Sequence, residues 1–135
     1  MGSVALILLD THVLVWAVAD SKRLSKPAVA AIRKARSEGE GLAVAAITLW
    51  ELAALVARGR IQAYGTVEAS VRLLIEGVIV KPLTADIAAL ATQFPDDYPR
   101  DPADRLIGAT ARAEGLTLIT RDEMIRRSPL LKTVW

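Results

Sequence analysis

The sequence contains no cysteine, a single histidine and few aromatic residues, and each shortage limits the kinds of scaffold, site or core that the protein can have. The absence of cysteine excludes a disulfide scaffold, a thiolate metal site and a cysteine nucleophile. The single histidine, His12, cannot build a histidine-rich zinc site alone. Aromatic residues make up 4% of the chain and hydrophobic residues 53%, so we expect a core of Ala, Val, Ile and Leu.

Long apolar runs are also missing, since no stretch approaches the roughly 20 residues that span a bilayer. The first apolar run, residues 4–9, is too short for a secretory signal and lacks its charged start. A chain of 135 residues suffices for one domain with a real core, but not comfortably for two. We therefore expect a single cytoplasmic domain over residues 1–135, with no membrane partner.

An excess of charge of one sign is missing as well, because the formal net charge is only +2 although the pI is about 9.2. This charge is too small to indicate nucleic-acid binding by itself. The basic residues are nevertheless grouped, at positions 22–26, 33–36, 58–60 and 126–127. These groups are either solvated helix faces or a rim that contacts phosphate, and the sequence leaves both open.

Short apolar runs alternate with helical patterns along the whole chain. Strands are predicted at residues 4–9, 42–46, 78–80 and 116–120, with a possible edge strand at 132–134. Helices are predicted at residues 11–19, 28–36, 48–58, 66–75, 84–92 and 103–114, with a helical turn at 123–127. This alternation is typical of an α/β fold whose parallel sheet is covered on both faces.

The first strand ends abruptly in a carboxylate, Asp10. The carboxyl end of a parallel strand opens into the crevice where α/β proteins bind ligands. Asp10 is therefore a candidate functional residue, although Asp is also a favoured cap for the helix that follows.

Glu51 has two possible roles as well. It follows Thr48 by three residues, a spacing that matches a helix capping box. It also shares a helical face with Ile47, Ala54 and Leu55. A carboxylate on an apolar face is costly unless a charged group meets it.

Three further acids stand at element boundaries. Asp101 precedes Pro102 and is the expected cap of the next helix, which makes Asp104 in its first turn the better functional candidate. Asp122 follows the strand at 116–120 and could instead cap the turn after it.

A parallel sheet places the carboxyl ends of all its strands at one edge, so these acids can converge there. An uncompensated cluster of carboxylates would repel itself and raise its own pKa values. A divalent cation removes that repulsion, and oxygen-only ligands suit Mg²⁺ or Mn²⁺ rather than zinc. A water on such an ion can attack a phosphodiester.

Four sequence blocks in this order resemble the PIN domain, and more narrowly the VapC-type toxins of prokaryotic toxin–antitoxin modules. The blocks are LLDTH at residues 8–12, ITLWEL at 47–52, DPADRLI at 101–107 and LITRD at 118–122. The resemblance implies a three-layer α/β/α sandwich around a parallel sheet. It also implies a Mg²⁺- or Mn²⁺-dependent endoribonuclease that cleaves RNA, usually forms a homodimer and is silenced by a cognate antitoxin protein.

The resemblance assigns roles residue by residue. The family's acids fall on Asp10, Glu51, Asp104 and Asp122, and Asp101 is the neighbouring acid of the third block. Thr11 and Thr120 fall on the small hydroxyl positions that support these acids. One departure concerns residues 98–100: they read Tyr-Pro-Arg where relatives often carry a histidine, so a role for that histidine is unsupported.

The resulting hypothesis is metal-assisted hydrolysis of RNA. Asp10, Asp104 and Asp122 would bind the ion, with Asp101 as a further candidate, and Glu51 would bind it or orient the attacking water. Arg105, Arg121 and Thr11 are the candidate substrate contacts, although either arginine could instead pair with its adjacent Asp.

Two aromatic side chains have alternative assignments. His12 could touch substrate, but a packed or capping histidine is favoured. Trp50 is expected in the core rather than as a base-stacking platform.

Two other functions remain as alternatives. A Mg²⁺-dependent phosphohydrolase of small molecules also needs an acid at a strand end, but haloacid-dehalogenase-like enzymes carry a second Asp where His12 stands. A receiver domain would need adjacent acids near the first strand and a late Lys. A non-catalytic relative of the PIN domain is disfavoured because all four acidic positions are filled.

Overall fold

Five parallel strands form a central sheet in the computed structural model, which describes residues 6–135. They are β1 (Ile7–Leu9), β2 (Leu42–Ala45), β3 (Ile79–Lys81), β4 (Thr117–Ile119) and β5 (Thr133–Val134), in the order β3-β2-β1-β4-β5. β1 pairs with β2 on one side and β4 on the other, so the strand order reverses at β1. Such a reversal opens a crevice beyond the strand's carboxyl end, which is where Asp10 lies.

Seven helices and a short 3₁₀ helix connect the strands within residues 6–135. The helices are α1 (Thr11–Ala19), α2 (Lys26–Glu38), α3 (Ala46–Ala57), α4 (Val67–Leu74), α5 (Ala85–Ala91), α6 (Pro102–Glu114) and α7 (Glu123–Arg127), and the 3₁₀ helix is Ser21–Arg23. None of these helices is both long enough and apolar enough to cross a membrane.

Apolar side chains pack on both faces of the sheet, which confirms the predicted three-layer α/β/α sandwich. Leu8 and Leu118 point to one core with Ile107 of α6. Their neighbours along the strands, Leu9 and Ile119, join the opposite core, which includes residues of α1, α2 and α3. This alternation follows from the two-residue period of a strand, and each fully buried Leu or Ile contributes about 1.5–3 kcal/mol.

The predicted elements are present, with small shifts of their ends. Residues 4–5 of the first predicted strand lie outside the described part of the chain. The predicted edge strand exists and pairs parallel to β4. The 3₁₀ helix Ser21–Arg23 lies between α1 and α2, where no helix was predicted.

The capping-box interpretation of Glu51 is wrong. α3 begins at Ala46, two residues earlier than predicted, and its cap residue Ala45 has no capping side chain. Thr48 therefore lies inside the helix and is fully buried. Its hydroxyl and the Glu51 carboxylate both bond to Thr11 of α1, across the helix interface.

A clamp holds the loop before α6 against that helix. The Arg105 guanidinium donates to the carbonyls of Pro99 and Phe94 at 2.9 Å each and of Pro95 at 3.2 Å. The buried Tyr98 hydroxyl donates to the Asp104 carbonyl at 2.9 Å. These four bonds hold the first turn of α6, and with it Asp101 and Asp104, at the edge of the sheet.

Candidate functional site: an acid-lined cavity

A cavity of about 430 Å³ opens beyond the carboxyl ends of β1 and β4. Five of its lining residues are acids that come from four separate parts of the chain. The lining residues are Asp10, His12, Trp16, Glu51, Asp101, Asp104, Arg121 and Asp122. The acids that the sequence analysis singled out are thus brought together at one site.

Asp10 is held in place by two donors. Its Oδ1 accepts from the backbone N–H of Thr11 at 2.9 Å, so it does cap α1. Its Oδ2 accepts from the Thr120 hydroxyl at 2.7 Å. Burial nevertheless raises the Asp10 pKa, although the bonds to Thr120 and Thr11 work in the opposite direction. Asp10 therefore combines the capping role with a position in the cavity.

Glu51 is oriented by a buried chain of hydroxyl groups. The Thr11 hydroxyl donates to Glu51 Oε1, and it lies 2.9 Å from the Thr48 hydroxyl. Because a hydroxyl has one hydrogen, Thr48 must be the donor to Thr11. Burial, and then the negative charges of Asp10 and Asp101, raise the Glu51 pKa.

The other three acids lie at helix starts. Asp101 caps α6, accepting from the Ala103 N–H at 2.9 Å, as the sequence predicted. Asp122 caps α7, accepting from the Ile125 N–H at 3.0 Å, and Thr120 accepts from the Asp122 N–H at 3.2 Å. Asp104 lies in the first turn of α6 with its side chain free for the cavity.

The five acids that line the cavity repel one another. Burial, followed by the charges of Asp10, Asp101, Asp122 and Glu51 in that order, raises the pKa of Asp104 to about 7. The ion pairs found within residues 6–135 all lie elsewhere, and they join Arg72 to Glu68, Lys81 to Glu114 and Arg127 to Glu123. Five acids thus share one cavity whose basic lining residues are His12 and Arg121.

The donor set suits a hard divalent cation. Carboxylate oxygens are the ligands preferred by Mg²⁺ and Mn²⁺, and burial of repelling carboxylates gives a cation a strong electrostatic advantage. As the side chains stand, however, no three His, Asp or Glu residues between Leu6 and Trp135 are arranged to hold one ion together. The cavity residues therefore have the oxygen ligands and the negative charge that a divalent cation needs, and a shared ion would draw the carboxylates toward it.

Two of the predicted substrate contacts, Arg105 and Thr11, do not line the cavity. Arg105 does not line the cavity, and all its guanidinium nitrogens bind loop carbonyls, so the geometry does not support a phosphate contact. Thr11 is 1% exposed, and its hydroxyl is committed to Glu51 and Thr48, so it supports an acid rather than meeting substrate. Arg121, by contrast, is exposed and lines the cavity as predicted.

The aromatic assignments also change. Trp50 is 64% exposed, so its predicted place in the core is wrong. His12 is exposed and lines the cavity, which favours the less preferred of its two predicted roles. Trp16 lines the cavity and was missed, although its position four residues after His12 places both on one face of α1.

Comparison with known proteins gives a consistent result. The family model described as PIN domain matches residues 7–129. The chain is 44% identical over 131 residues to Ribonuclease VapC22 of Mycobacterium tuberculosis, covering 96% of this chain and 98% of that protein.

Solved structures show the same fold. VapBC2 from Rickettsia felis, bound to a DNA fragment from its promoter, superposes with a TM-score of 0.73 at 17% identity, covering 95% of this chain and 96% of that one. A toxin–antitoxin complex from Klebsiella pneumoniae gives a TM-score of 0.64 at 22% identity, covering 93% and 94% of the two chains.

Proposed function

Because this chain belongs to the PIN domain family, we propose that it is a metal-dependent endoribonuclease and the toxin of a toxin–antitoxin module. The observation that carries the proposal is the convergence of five carboxyl groups from distant parts of the chain in one cavity. A relative that is named a ribonuclease and is 44% identical over nearly the full length supports RNA as the substrate.

Each acid has a role in this proposal. Asp10, Asp104 and Asp122 would hold a Mg²⁺ or Mn²⁺ ion, and Asp101 is the further candidate ligand. When bound, the ion lowers the pKa of a coordinated water and polarises the scissile phosphate. The Thr120 hydroxyl donates to the Asp10 carboxylate and accepts from the backbone N–H of Asp122, so that one hydroxyl links the ends of β1 and β4.

Glu51 is the proposed proton acceptor for the attacking water. Its raised pKa makes it a stronger base than an ordinary carboxylate, and the Thr11 hydroxyl holds one of its oxygens while the other remains available. Arg121, at the rim of the cavity, contributes a guanidinium that binds a phosphate of the RNA backbone.

The direct test is cleavage of a labelled RNA by the purified chain in Mg²⁺, in Mn²⁺ and in EDTA. We expect cleavage only with metal, and a loss beyond about 100-fold for Asp10→Asn and Asp104→Asn, since even outer-shell changes at metal sites cost about 10–100-fold. Asp86→Asn is the matched control, because Asp86 also lies in the first turn of a helix but outside the cavity.

Two outcomes would overturn the proposal. Equal cleavage in EDTA and in Mg²⁺ would show that the reaction needs no metal. Full activity of both Asp→Asn variants would show that the reaction does not take place in the cavity. Hydrolysis of small phosphate esters without cleavage of RNA would instead favour the phosphohydrolase.

We also propose that a cognate antitoxin protein inhibits this chain by placing a basic side chain among the acids. The excess of carboxylates in the cavity supports this, because an incoming cation of any kind relieves their repulsion. Expression of the chain should arrest growth, and co-expression of the small protein encoded beside it should restore growth. If Glu51→Gln is as toxic as the native chain, the toxicity does not come from this site.

A further inference from the structure

Trp16 lines the acid cavity and also contacts Arg23, Arg121 and Trp135, of which only Arg121 has a role in the proposed function. The guanidinium carbon of Arg23 lies 5.1 Å from the centroid of the Trp16 ring, and that of Arg121 lies 5.7 Å from it. Both distances fall within the range of about 6 Å for a cation–π contact. The ring of Trp135 packs against Trp16 at 5.9 Å between centroids. We call these four residues the tryptophan–arginine cluster.

The two arginines keep their hydrogen-bond donors available. Neither Arg23 nor Arg121 forms an ion pair or a side-chain hydrogen bond to another group within residues 6–135, and both are exposed. A cation–π contact orients a guanidinium through its charge and its plane, and it leaves the N–H groups along the edge unused. The cluster therefore holds two positive charges in place without neutralising them.

Position and charge together indicate an RNA strand as the occupant. Trp16 and Arg121 also line the acid cavity, so the cluster begins where the proposed chemistry takes place. Trp135 also lines a neighbouring cavity with Glu123, Arg126 and Arg127 of α7. Arg127 pairs with Glu123 there, and Arg126 extends the basic surface away from the acid cavity. A polyanion that enters the acid cavity needs positive charge directly beside it, because the carboxylates repel its remaining phosphates.

We propose that Trp16 is a positioning residue that holds Arg23 and Arg121 against the phosphates of the RNA segment next to the cleaved bond. This inference rests on the proposed function, because it concerns the binding of the same substrate. It assigns the strand a path across α1 and the 3₁₀ helix Ser21–Arg23. Trp16 acts through the arginines, whereas the arginines contact the RNA.

The test compares Trp16→Leu, which keeps apolar bulk but has no π face, with Trp16→Phe, which keeps a smaller one. Steady-state cleavage of a short single-stranded RNA in Mg²⁺ should show KM raised about 5- to 10-fold for Trp16→Leu, with kcat changed less than about 3-fold. Trp16→Phe should fall between Trp16→Leu and the native chain. Loss of packing alone would follow the same order from Trp to Phe to Leu, but it would lower the melting temperature without raising the KM. Thermal unfolding of both variants therefore separates the two roles.

Salt dependence supplies a second readout. Removing one phosphate contact lowers the slope of log KM against log salt concentration by about 1. We expect that decrease for Arg23→Ala, and a decrease at least as large for Trp16→Leu because both arginines are released. Arg112→Ala is the control, since Arg112 lies in the last turn of α6, away from the cluster, and its loss should leave the slope unchanged.

The outcomes are separable from those of the proposed function. If the native chain cleaves no RNA in Mg²⁺, the proposed function fails and the inference fails with it. If the native chain cleaves RNA but Trp16→Leu and Arg23→Ala both keep the native KM and salt slope, the inference alone is overturned. A fall in kcat at unchanged KM would also overturn it, because it would place Trp16 in the support of the acids.

Discussion

Asp104 bears the largest cost of assembling the acid cavity. Its pKa rises from an ordinary 3.8 to about 7, so the folded chain holds a proton there that the unfolded chain releases. Stability from this group is therefore fully present below pH 4 and is lost as the pH rises through about 7. Asp10 and Glu51, whose pKa values are also raised, act in the same direction.

Because the raised pKa makes a charged Asp104 unfavourable in the folded chain, we predict that Asp104→Asn stabilises the chain at pH 8 in EDTA. Removing one charge from the cluster should raise the melting temperature by roughly 3–6 °C, the equivalent of about 1–2 kcal/mol, with little change at pH 4.5. Thermal unfolding of both proteins at several pH values measures the difference. Asp86→Asn, outside the cavity, should show no such pH dependence. An Asp104→Asn variant less stable than the native chain at pH 8 would show that the cluster is not strained.

Thr11 connects the acid cavity to the buried interface between α1 and α3. Thr11→Val removes the donor to Glu51 and leaves the buried Thr48 hydroxyl without the acceptor that Thr11 provides. We expect a loss of about 1–3 kcal/mol in unfolding free energy, the typical cost of an unsatisfied buried polar group. Urea denaturation measures this loss, and Thr11→Ser, which retains the hydroxyl, should recover most of it. A Thr11→Val variant of native stability would mean that these bonds contribute little.

At the scale of single residues, the sequence predicted which acids converge in one cavity, but not the partners of the residues next to them. Asp10 and Asp122 were found because each follows an apolar strand, a signal that lies within a few residues. Arg105 was assigned to phosphate because of its position next to Asp104, whereas its partners are carbonyls 6–11 residues earlier in the chain. No local pattern reveals such partners. Trp16 had a usable signal, its spacing from His12, but an apolar helix makes a core position the default interpretation.

Among the helices and strands, the loop before α6 determines where two of the acids lie. Arg105 and Tyr98 tie this loop to α6, and Gly108 makes the close approach possible, since a Cβ there would lie 2.3 Å from the Tyr98 hydroxyl oxygen. The loop has no helix or strand of its own, so the carbonyls of Phe94 and Pro99 depend on Arg105 for their hydrogen bonds, whereas that of Pro95 also accepts from the Tyr98 N–H at 3.1 Å.

Arg105→Lys therefore tests the clamp against a phosphate contact. An ammonium group keeps the charge but cannot span three carbonyls in a planar fork, so the clamp should fail while the charge remains. We expect a lower melting temperature and a kcat reduced by about 10-fold, because Asp101 and Asp104 lose their support, with KM and its salt dependence nearly unchanged. The measurements are thermal unfolding and steady-state RNA cleavage. A raised KM with native stability would instead support the phosphate contact that the sequence suggested for Arg105.

The helices and strands themselves followed from local signals. Side-chain caps at Asp10, Thr66 and Thr84 and the left-handed Gly115 mark helix ends that the sequence made visible. α3 was misplaced because its cap residue is Ala45, which offers no such signal. The strand order could not be read from the sequence, since β2 and β4 both pair with β1 only through contacts between distant segments.

For the molecule as a whole, folding and metal binding are expected to be coupled through the acid cavity. A cation that binds only the folded state adds RT ln(1 + [L]/Kd) to the unfolding free energy, about 2.7 kcal/mol at a concentration of 100 Kd. A bound ion would also remove the repulsion among the carboxylates, which is strongest above pH 7 where Asp104 is charged, and protons would compete with it below that pH. Mn²⁺ should thus raise the melting temperature strongly at pH 8 and weakly at pH 5.

Two variants test whether Mn²⁺ raises the melting temperature by binding in the acid cavity. Asp10→Asn should bind Mn²⁺ weakly, so its melting temperature should respond little to the ion at pH 8, whereas Asp86→Asn should respond like the native chain. Calorimetric scans with and without Mn²⁺ make the measurement, and they need no RNA. If the native chain and Asp10→Asn gain the same stability, the ion acts elsewhere on the surface. The carboxylates would then have to be relieved by another cation, such as the basic side chain of a protein partner.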